Sequence, residues 1–191
     1  MKVTLLGDSI RLIGYGKRVP ELLGKEWEVY QPEENGRFSK HTLRGLFDWR
    51  DEMAGSDVVH WNNGLWDTCH IFGDNLPFTP IGEYVDNVKR IAELLLRITP
   101  NVIFATTTPV IPGQAYNDND RIREYNAAAL EVLSGTGVVI NDLHAAVSQH
   151  LYEYIKSDDK IHLNDVGVQN VSEIVANIIR ETYKNGLKRQ L

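Results

Sequence analysis

Short apolar runs alternate along the chain with longer amphipathic segments. The runs are rich in valine and isoleucine, as buried parallel strands tend to be. The predicted strands cover residues 2–6, 27–30, 57–62, 102–106 and 137–141. Strands that alternate with amphipathic helices predict an α/β protein built on a parallel sheet.

Apolar residues at three- and four-residue steps predict helices between and after these strands. The spacing predicts helices over 81–98, 120–133 and about 165–184, with Pro100 ending the first and Gly135 ending the second. The segments 32–44 and 64–80 are interpreted as long loops at the carboxyl edge of the sheet. No repeat or interdomain linker is visible, so residues 1–191 are predicted to form one domain.

The composition is that of an ordinary globular protein. Of 191 residues, 42% are hydrophobic and 24% are charged, and the formal net charge is −6. An acidic chain is disfavoured as a nucleic-acid binder, because such binding needs concentrated lysine and arginine. The one clearly basic stretch, 184–189, is interpreted as the end of a helix.

The chain has one cysteine, Cys69, and this excludes an internal disulfide or a cysteine-based zinc cluster. The apolar run at the N-terminus is too short for a signal peptide, and no segment approaches 18 apolar residues. We expect a soluble cytoplasmic protein with no membrane or nucleic-acid partner, although a removed leader stays open. The sequence does not specify an oligomeric state.

The first chemical signal is Gly7-Asp8-Ser9, directly after the first predicted strand. Gly7 permits a tight turn, which would place the Ser9 hydroxyl and backbone N–H at the open edge of the sheet. Such a serine can act as a nucleophile. The alternative interpretation is that Asp8 or Ser9 only caps a helix.

The second signal is Asp158-Asp159-Lys160-Ile161-His162, between the last predicted strand and the last predicted helix. A serine nucleophile needs a base, and the base needs a carboxylate to orient it. The spacing of Asp159 and His162 lets one tight turn bring them together, and Asp158 is the less favoured partner. The alternative is a surface histidine beside two aspartates.

These segments resemble the first and last sequence blocks of the SGNH/GDSL hydrolases. Three further segments agree in order, namely Glu34–Arg37, Thr106–Val110 and Val139–Leu143. The resemblance implies a three-layer α/β/α fold with a flavodoxin-like five-stranded parallel sheet. It also implies that the backbone N–H groups of Ser9 and Gly36 form part of an oxyanion hole.

The third block departs from the family pattern. Aligning Gly64 and Asp67 with that block puts Trp66 where an asparagine side chain normally donates to the oxyanion. We expect Asn62 to supply this donor, with Asn63 as the less favoured option. The candidate substrate-binding residues are Asp8, Asn63 and Trp66.

The resemblance implies a serine esterase that needs no metal or organic cofactor. His162 would deprotonate Ser9, and Asp159 would stabilise the imidazolium. The expected substrates are small-molecule esters of small acyl groups, acetyl above all, including carbohydrate esters. Lysophospholipase, thioesterase or arylesterase activity stays open, as does a noncatalytic module that binds a carbohydrate or nucleotide.

Two other candidate residues are assigned no chemistry. His60 lies inside a predicted strand and is interpreted as a core histidine. No strongly basic group is close to Cys69 in the sequence, so a passive thiol is expected. The remaining histidines lack zinc-ligand spacing, which makes a zinc hydrolase an unfavourable interpretation.

Overall fold

The computed structural model describes residues 1–188, and these residues form a five-stranded sheet in the order β2-β1-β3-β4-β5. All four strand pairs are parallel. The strands are β1 Lys2–Leu6, β2 Glu28–Tyr30, β3 Val58–Asn62, β4 Val102–Ala105 and β5 Val139–Asn141. The five predicted strands are therefore confirmed, with ends that move by at most two residues.

Helices cover both faces of the sheet. They are α1 Val19–Leu23, α2 Ser39–Asp48, α3 Arg50–Met53, α4 Leu65–Thr68, α5 Ile81–Leu96, α6 Asn119–Leu133, α7 Leu143–Ser148, α8 Leu151–Tyr154 and α9 Asp165–Lys188. A π-helical turn, Ile10–Gly14, and a short 3₁₀ turn, Tyr15–Lys17, connect β1 to α1. The three predicted helices correspond to α5, α6 and α9.

Two hydrophobic layers separate the sheet from its helices. In β1, Val3 and Leu5 belong to one layer, which also holds Val171 and Val175 of α9. Leu6 belongs to the opposite layer, together with residues of α5 such as Ile91. Because successive strand residues point to opposite faces, one strand serves both layers. The predicted three-layer α/β/α architecture is confirmed.

Both predicted loops are partly helical, and the segment 64–80 contains α4, Leu65–Thr68. The segment 32–44 was expected to lack regular structure, yet α2 begins at Ser39 and continues to Asp48. The carboxylate of Asp67, from α4, accepts hydrogen bonds from the backbone N–H and the hydroxyl of Ser39. This tertiary contact satisfies the start of the helix, and the local sequence carries no sign of it.

Several smaller expectations can be compared with the structure. His60 is fully buried, and its Nε2 lies 3.1 Å from the Asn141 amide, as expected for a core histidine. Within 1–188 no helix is long and apolar enough to cross a membrane. The basic stretch falls on the end of α9 as far as Lys188, while Arg189 lies outside the described residues.

Candidate active site

Ser9 lies at the carboxyl edge of the sheet, where β1 ends and the chain turns sharply. A side chain on Gly7, at φ +158°, would place its Cβ 2.0 Å from Asn62 Oδ1, so only glycine fits there. Asp8 Oδ1 accepts a hydrogen bond from the Ile10 N–H at 2.9 Å and fixes the next turn. The chain leaves the strand with the Ser9 side chain facing the pocket described below.

The histidine and the aspartate come from one tight turn before α9. Asp159 Oδ1 accepts hydrogen bonds from the backbone N–H groups of Ile161 and His162, each at 2.9 Å. Lys160 between them has φ +63°, a left-handed conformation that lets the chain reverse. The same turn leaves Asp159 Oδ2 2.9 Å from His162 Nδ1.

The other ring nitrogen of His162 contacts Ser9, which is 153 positions away in the sequence. His162 Nε2 lies 2.9 Å from Ser9 Oγ. Serine, histidine and aspartate thus form one continuous hydrogen-bonded series, which is the geometry of a nucleophile, a base and an orienting carboxylate. The Asp158 carboxylate instead accepts from the Asp159 N–H at 2.8 Å.

The electrostatics of Asp159 suit this role. Partial burial alone would raise the pKa of its carboxyl, but three kinds of interaction oppose that effect. The backbone N–H groups of His162 and Ile161, a hydrogen bond from the His162 side chain and its charge hold the pKa of Asp159 below its ordinary value. The carboxylate therefore stays ionised and able to stabilise an imidazolium.

A cavity of about 430 Å³ opens beside Ser9 and His162. Its walls are largely apolar, with three amide side chains among them. The lining residues besides the serine and histidine are Leu12, Ile13, Asn35, Leu65, Trp66, Cys69, Ile71, Gln114, Tyr116, Asn117 and Ile161. Its size and mixed lining are those of a small-molecule site.

Cys69 lies in the wall of this cavity, and its thiol forms a hydrogen bond with the backbone. The Sγ donates to the Trp66 carbonyl oxygen at 3.0 Å, and the residue is buried. Burial and the nearby Asp67 carboxylate raise the pKa of the Cys69 thiol to about 11. Such a thiol carries little thiolate at neutral pH, in keeping with the expected passive thiol.

The predicted oxyanion donors are placed differently from expectation. The Gly36 N–H donates to the Gly7 carbonyl oxygen at 2.9 Å, so this donor is already engaged. The turn Gly7–Ser9 is called the nucleophile turn below, because it carries the candidate nucleophile. Asn62 is buried beneath this turn, and its Oδ1 accepts a hydrogen bond from the Tyr15 hydroxyl at 2.9 Å. A hydrogen bond from the Asn62 side chain also acts on the buried Asp8 carboxyl, whose pKa burial raises. Asn62 therefore stabilises the turn from below and does not line the cavity.

Two of the three predicted substrate-binding residues are also inaccessible. Asp8 and Asn63 are fully buried, so neither can touch a bound substrate. The Asn63 amide donates to Thr42 Oγ1 at 2.9 Å and to the Arg37 carbonyl at 3.2 Å. Their polar side chains form hydrogen bonds with the surrounding loops. Trp66 alone of the three lines the cavity, with 37% of its surface exposed.

Arg11 is an important residue that the sequence reasoning missed. Its side chain is 1% exposed, and its guanidinium donates to the carbonyl oxygens of Pro32 and Glu34, each at 2.7 Å. A further bond at 3.2 Å reaches the Gly7 carbonyl oxygen. The guanidinium thus ties the loop after β2 to the nucleophile turn. A charged residue between Ile10 and Leu12 was the available signal.

The fold and the Ser9–His162–Asp159 geometry resemble those of the SGNH/GDSL hydrolases. No family model matches the chain. The GDSL esterase/lipase CPRD49 of Arabidopsis thaliana is 22% identical, over 94% of this chain and 79% of the relative. The resemblance that the sequence blocks indicated is confirmed along nearly the whole chain.

Solved structures show the same fold. The lipase/acylhydrolase from Enterococcus faecalis superposes with a TM-score of 0.76 at 19% identity, covering 96% of both chains. The acetyl xylan esterase AlAXEase gives a TM-score of 0.75 at 19% identity, covering 92% of this chain and 98% of that one. Axe2, an acetylxylan esterase from Geobacillus stearothermophilus, gives 0.71 at 18% identity over 93% of each chain.

Proposed function

We propose that this protein is a serine esterase that removes small acyl groups, acetyl above all, from carbohydrate esters. The observation that carries the proposal is the continuous series Ser9–His162–Asp159, in which both contacts measure 2.9 Å. The chemistry uses Ser9 as nucleophile, His162 as base and acid, and Asp159 as the orienting carboxylate. These three side chains supply the chemistry without a metal or an organic cofactor.

The reaction proceeds in two halves. His162 Nε2 takes the proton from Ser9 as Oγ attacks the ester carbonyl carbon, and the carbonyl electron pair moves to the oxygen. The tetrahedral intermediate collapses, and the alcohol leaves with the proton from His162. A water molecule then attacks the acyl-enzyme in the same way, which releases the carboxylic acid and regenerates Ser9. Asp159 stabilises the imidazolium in both halves.

The carbohydrate part of the proposal is supported by aromatic rings at the cavity. Trp66 and Tyr116 line it and are 37% and 51% exposed. An exposed aromatic face offers a flat apolar surface on which a sugar ring can pack. Two of the similar structures are also acetyl xylan esterases by name.

The first test is hydrolysis of p-nitrophenyl acetate by the purified protein and by Ser9→Ala. Mass spectrometry after treatment with a fluorophosphonate locates the reactive residue. We expect turnover that falls at least about 10³-fold in Ser9→Ala, with one adduct on Ser9 in the wild-type protein.

Ser148→Ala is the matched control. The Ser148 hydroxyl is also near a histidine, 3.5 Å from His144 Nδ1, but within residues 1–188 the other ring nitrogen, Nε2, has no hydrogen-bond partner. This variant should keep wild-type turnover. Absence of both turnover and adduct, or an adduct elsewhere than Ser9, would overturn the proposal.

A second measurement addresses the substrate. Acetylated xylo-oligosaccharides and acetylated monosaccharides are compared with ethyl acetate, which has no ring. Higher kcat/KM for the sugar esters is expected. Equal values for all three would support a simple carboxylesterase and contradict the carbohydrate assignment.

A further inference from the structure

We infer that the side-chain amide of Asn35 donates a hydrogen bond to the oxyanion formed during catalysis. This inference rests on the proposed esterase function, because it concerns the intermediate formed on Ser9. Asn35 lies on the loop between β2 and α2 and lines the same cavity as Ser9 and His162. It belongs to neither the nucleophile turn nor the turn that holds the base.

The two asparagines predicted as oxyanion donors, Asn62 and Asn63, are already committed to other contacts. The side-chain N–H groups of Asn63 already donate hydrogen bonds to the Arg37 carbonyl oxygen and to Thr42 Oγ1. Asn62 lies below the turn, against Tyr15 and Asp8. The oxyanion of an ester needs donors on the cavity side of the serine, and these two asparagines do not reach that side.

The orientation of the Asn35 amide is fixed by its own loop. Its Oδ1 accepts a hydrogen bond from the Arg37 N–H at 2.8 Å. Since the oxygen is held in this way, the Nδ2 end is directed away from the loop backbone. Within residues 1–188 the structure gives its two N–H groups no acceptor, so they are available to a ligand in the cavity.

The loop is held on both sides of Asn35. The Arg11 guanidinium binds the carbonyl oxygen of Glu34, the residue before it, at 2.7 Å. The N–H of Gly36, the residue after it, donates to the Gly7 carbonyl oxygen at 2.9 Å. Both contacts tie Asn35 to the turn that carries Ser9. A donor fixed before the reaction costs little reorganisation when negative charge develops.

The role in the reaction is purely electrostatic. When Ser9 Oγ bonds to the carbonyl carbon, the carbon–oxygen double bond becomes single and its electron pair moves to oxygen. An Asn35 N–H donates to that oxygen and keeps its proton. The interaction is stronger in the intermediate than in the ester, so it lowers the barrier and leaves substrate binding nearly unchanged.

The test is Asn35→Asp, assayed with p-nitrophenyl acetate. An aspartate can still accept from the Arg37 N–H, so the loop keeps its geometry, but the donor is replaced by a carboxylate. We expect kcat to fall by about 10² or more, with KM within about threefold of wild type. Labelling of Ser9 by a fluorophosphonate should slow in parallel, because the phosphonyl oxygen occupies the same donors.

Asn177→Asp is the matched control for the added charge. Asn177 lies on the exposed side of α9, where its Oδ1 accepts from Arg180, and it does not line the cavity. This variant should retain wild-type kcat. Asn35→Ala, which is uncharged and leaves the backbone contacts of Glu34 and Gly36 available, is measured beside it and should also lose at least tenfold in kcat.

The outcomes separate this inference from the proposed function. If wild-type turnover depends on Ser9 but Asn35→Asp and Asn35→Ala stay within threefold of it, the inference is overturned and the esterase assignment stands. If the wild-type protein shows no Ser9-dependent turnover, the proposed function itself fails. A rise in KM at unchanged kcat would make Asn35 a substrate-binding residue and would also overturn the inference.

Discussion

The carboxylate of Asp67 accepts hydrogen bonds from Ser39, the first residue of α2. The Ser39 N–H lies 3.0 Å from both carboxylate oxygens, and the Ser39 hydroxyl donates to Oδ1 at 2.7 Å. A third residue, Asn87 of α5, donates to the Ser39 hydroxyl oxygen at 3.0 Å. Asp67 follows Trp66 in the chain, so this buried network joins the cavity wall to two helices.

The first prediction concerns the pH dependence of stability. Burial raises the pKa of Asp67 to about 6 from its ordinary value of 3.8, against the opposing hydrogen bonds from Ser39 and Thr79. The folded state therefore binds this proton more tightly than the unfolded state does. Stability from this group is fully present below about pH 4 and falls as pH rises through about 6, by about 3 kcal/mol.

Asp67→Asn tests this sign. The variant loses an acceptor facing the Ser39 N–H and should lower the free energy of unfolding by about 1–3 kcal/mol. Because it also lacks the titration, the gap between wild type and variant should be larger at pH 4 than at pH 7. Urea unfolding of both proteins across pH 4–8 measures this gap. A gap that widens towards pH 7 would contradict the assignment.

The second prediction separates the two neighbouring aspartates before α9. Asp159→Asn removes the carboxylate that holds the His162 ring and should reduce kcat by about 10²–10⁴. The measurement is the initial rate with p-nitrophenyl acetate at saturating substrate. Asp158→Asn, whose carboxylate contacts only the next backbone N–H in this turn, should stay within about twofold. Comparable losses in both variants would argue against Asp159 as the orienting group.

The third prediction concerns the aromatic wall. Trp66→Ala should lower kcat/KM for acetylated xylo-oligosaccharides by about three- to tenfold, since an aromatic contact contributes about 0.5–1.5 kcal/mol. Hydrolysis of ethyl acetate should change less. Phe47→Ala is the control, because Phe47 is 62% exposed on α2 and stacks with Arg44 and Arg50 outside the cavity. Equal losses on both substrates would exclude ring stacking by Trp66.

The fourth prediction concerns Arg11. Arg11→Gln should lower the free energy of unfolding by about 3 kcal/mol, because the carbonyl oxygens of Pro32 and Glu34 lose a charged donor. Arg11→Lys restores a charge but not a fork of N–H groups, so it should recover only part of the loss. Thermal and urea unfolding give the stabilities. A variant as stable as wild type would show that water satisfies those carbonyl groups.

The sequence predicted the sheet and the proximity of Ser9, His162 and Asp159 because each depends on local pattern. Apolar runs mark the strands, and the carboxyl ends of parallel strands share one edge, so Ser9 and His162 could be expected to meet. The start of α2 could not be predicted in this way, since its partner Asp67 is 28 residues away along the chain.

The hydrogen-bond donors to the oxyanion were even harder to predict from the sequence. Residue type shows that Asn62 carries an amide, but only the packing of Tyr15 and Asp8 around it determines where that amide points. Likewise, Gly36 has an N–H in any structure, and its commitment to the Gly7 carbonyl is a tertiary contact. The spacing of residues along the sequence therefore does not determine the direction in which a donor such as the Asn62 amide points.

The contact between Ser9 and His162 spans 153 positions in the chain. A nascent chain that already carries Ser9 lacks its proposed proton acceptor until synthesis has passed His162. The proposed activity would likewise return during refolding only once this long loop has closed, and closing a longer loop costs more conformational entropy. Recovery of the proposed esterase activity during refolding would therefore report that the two ends of this fold have come together.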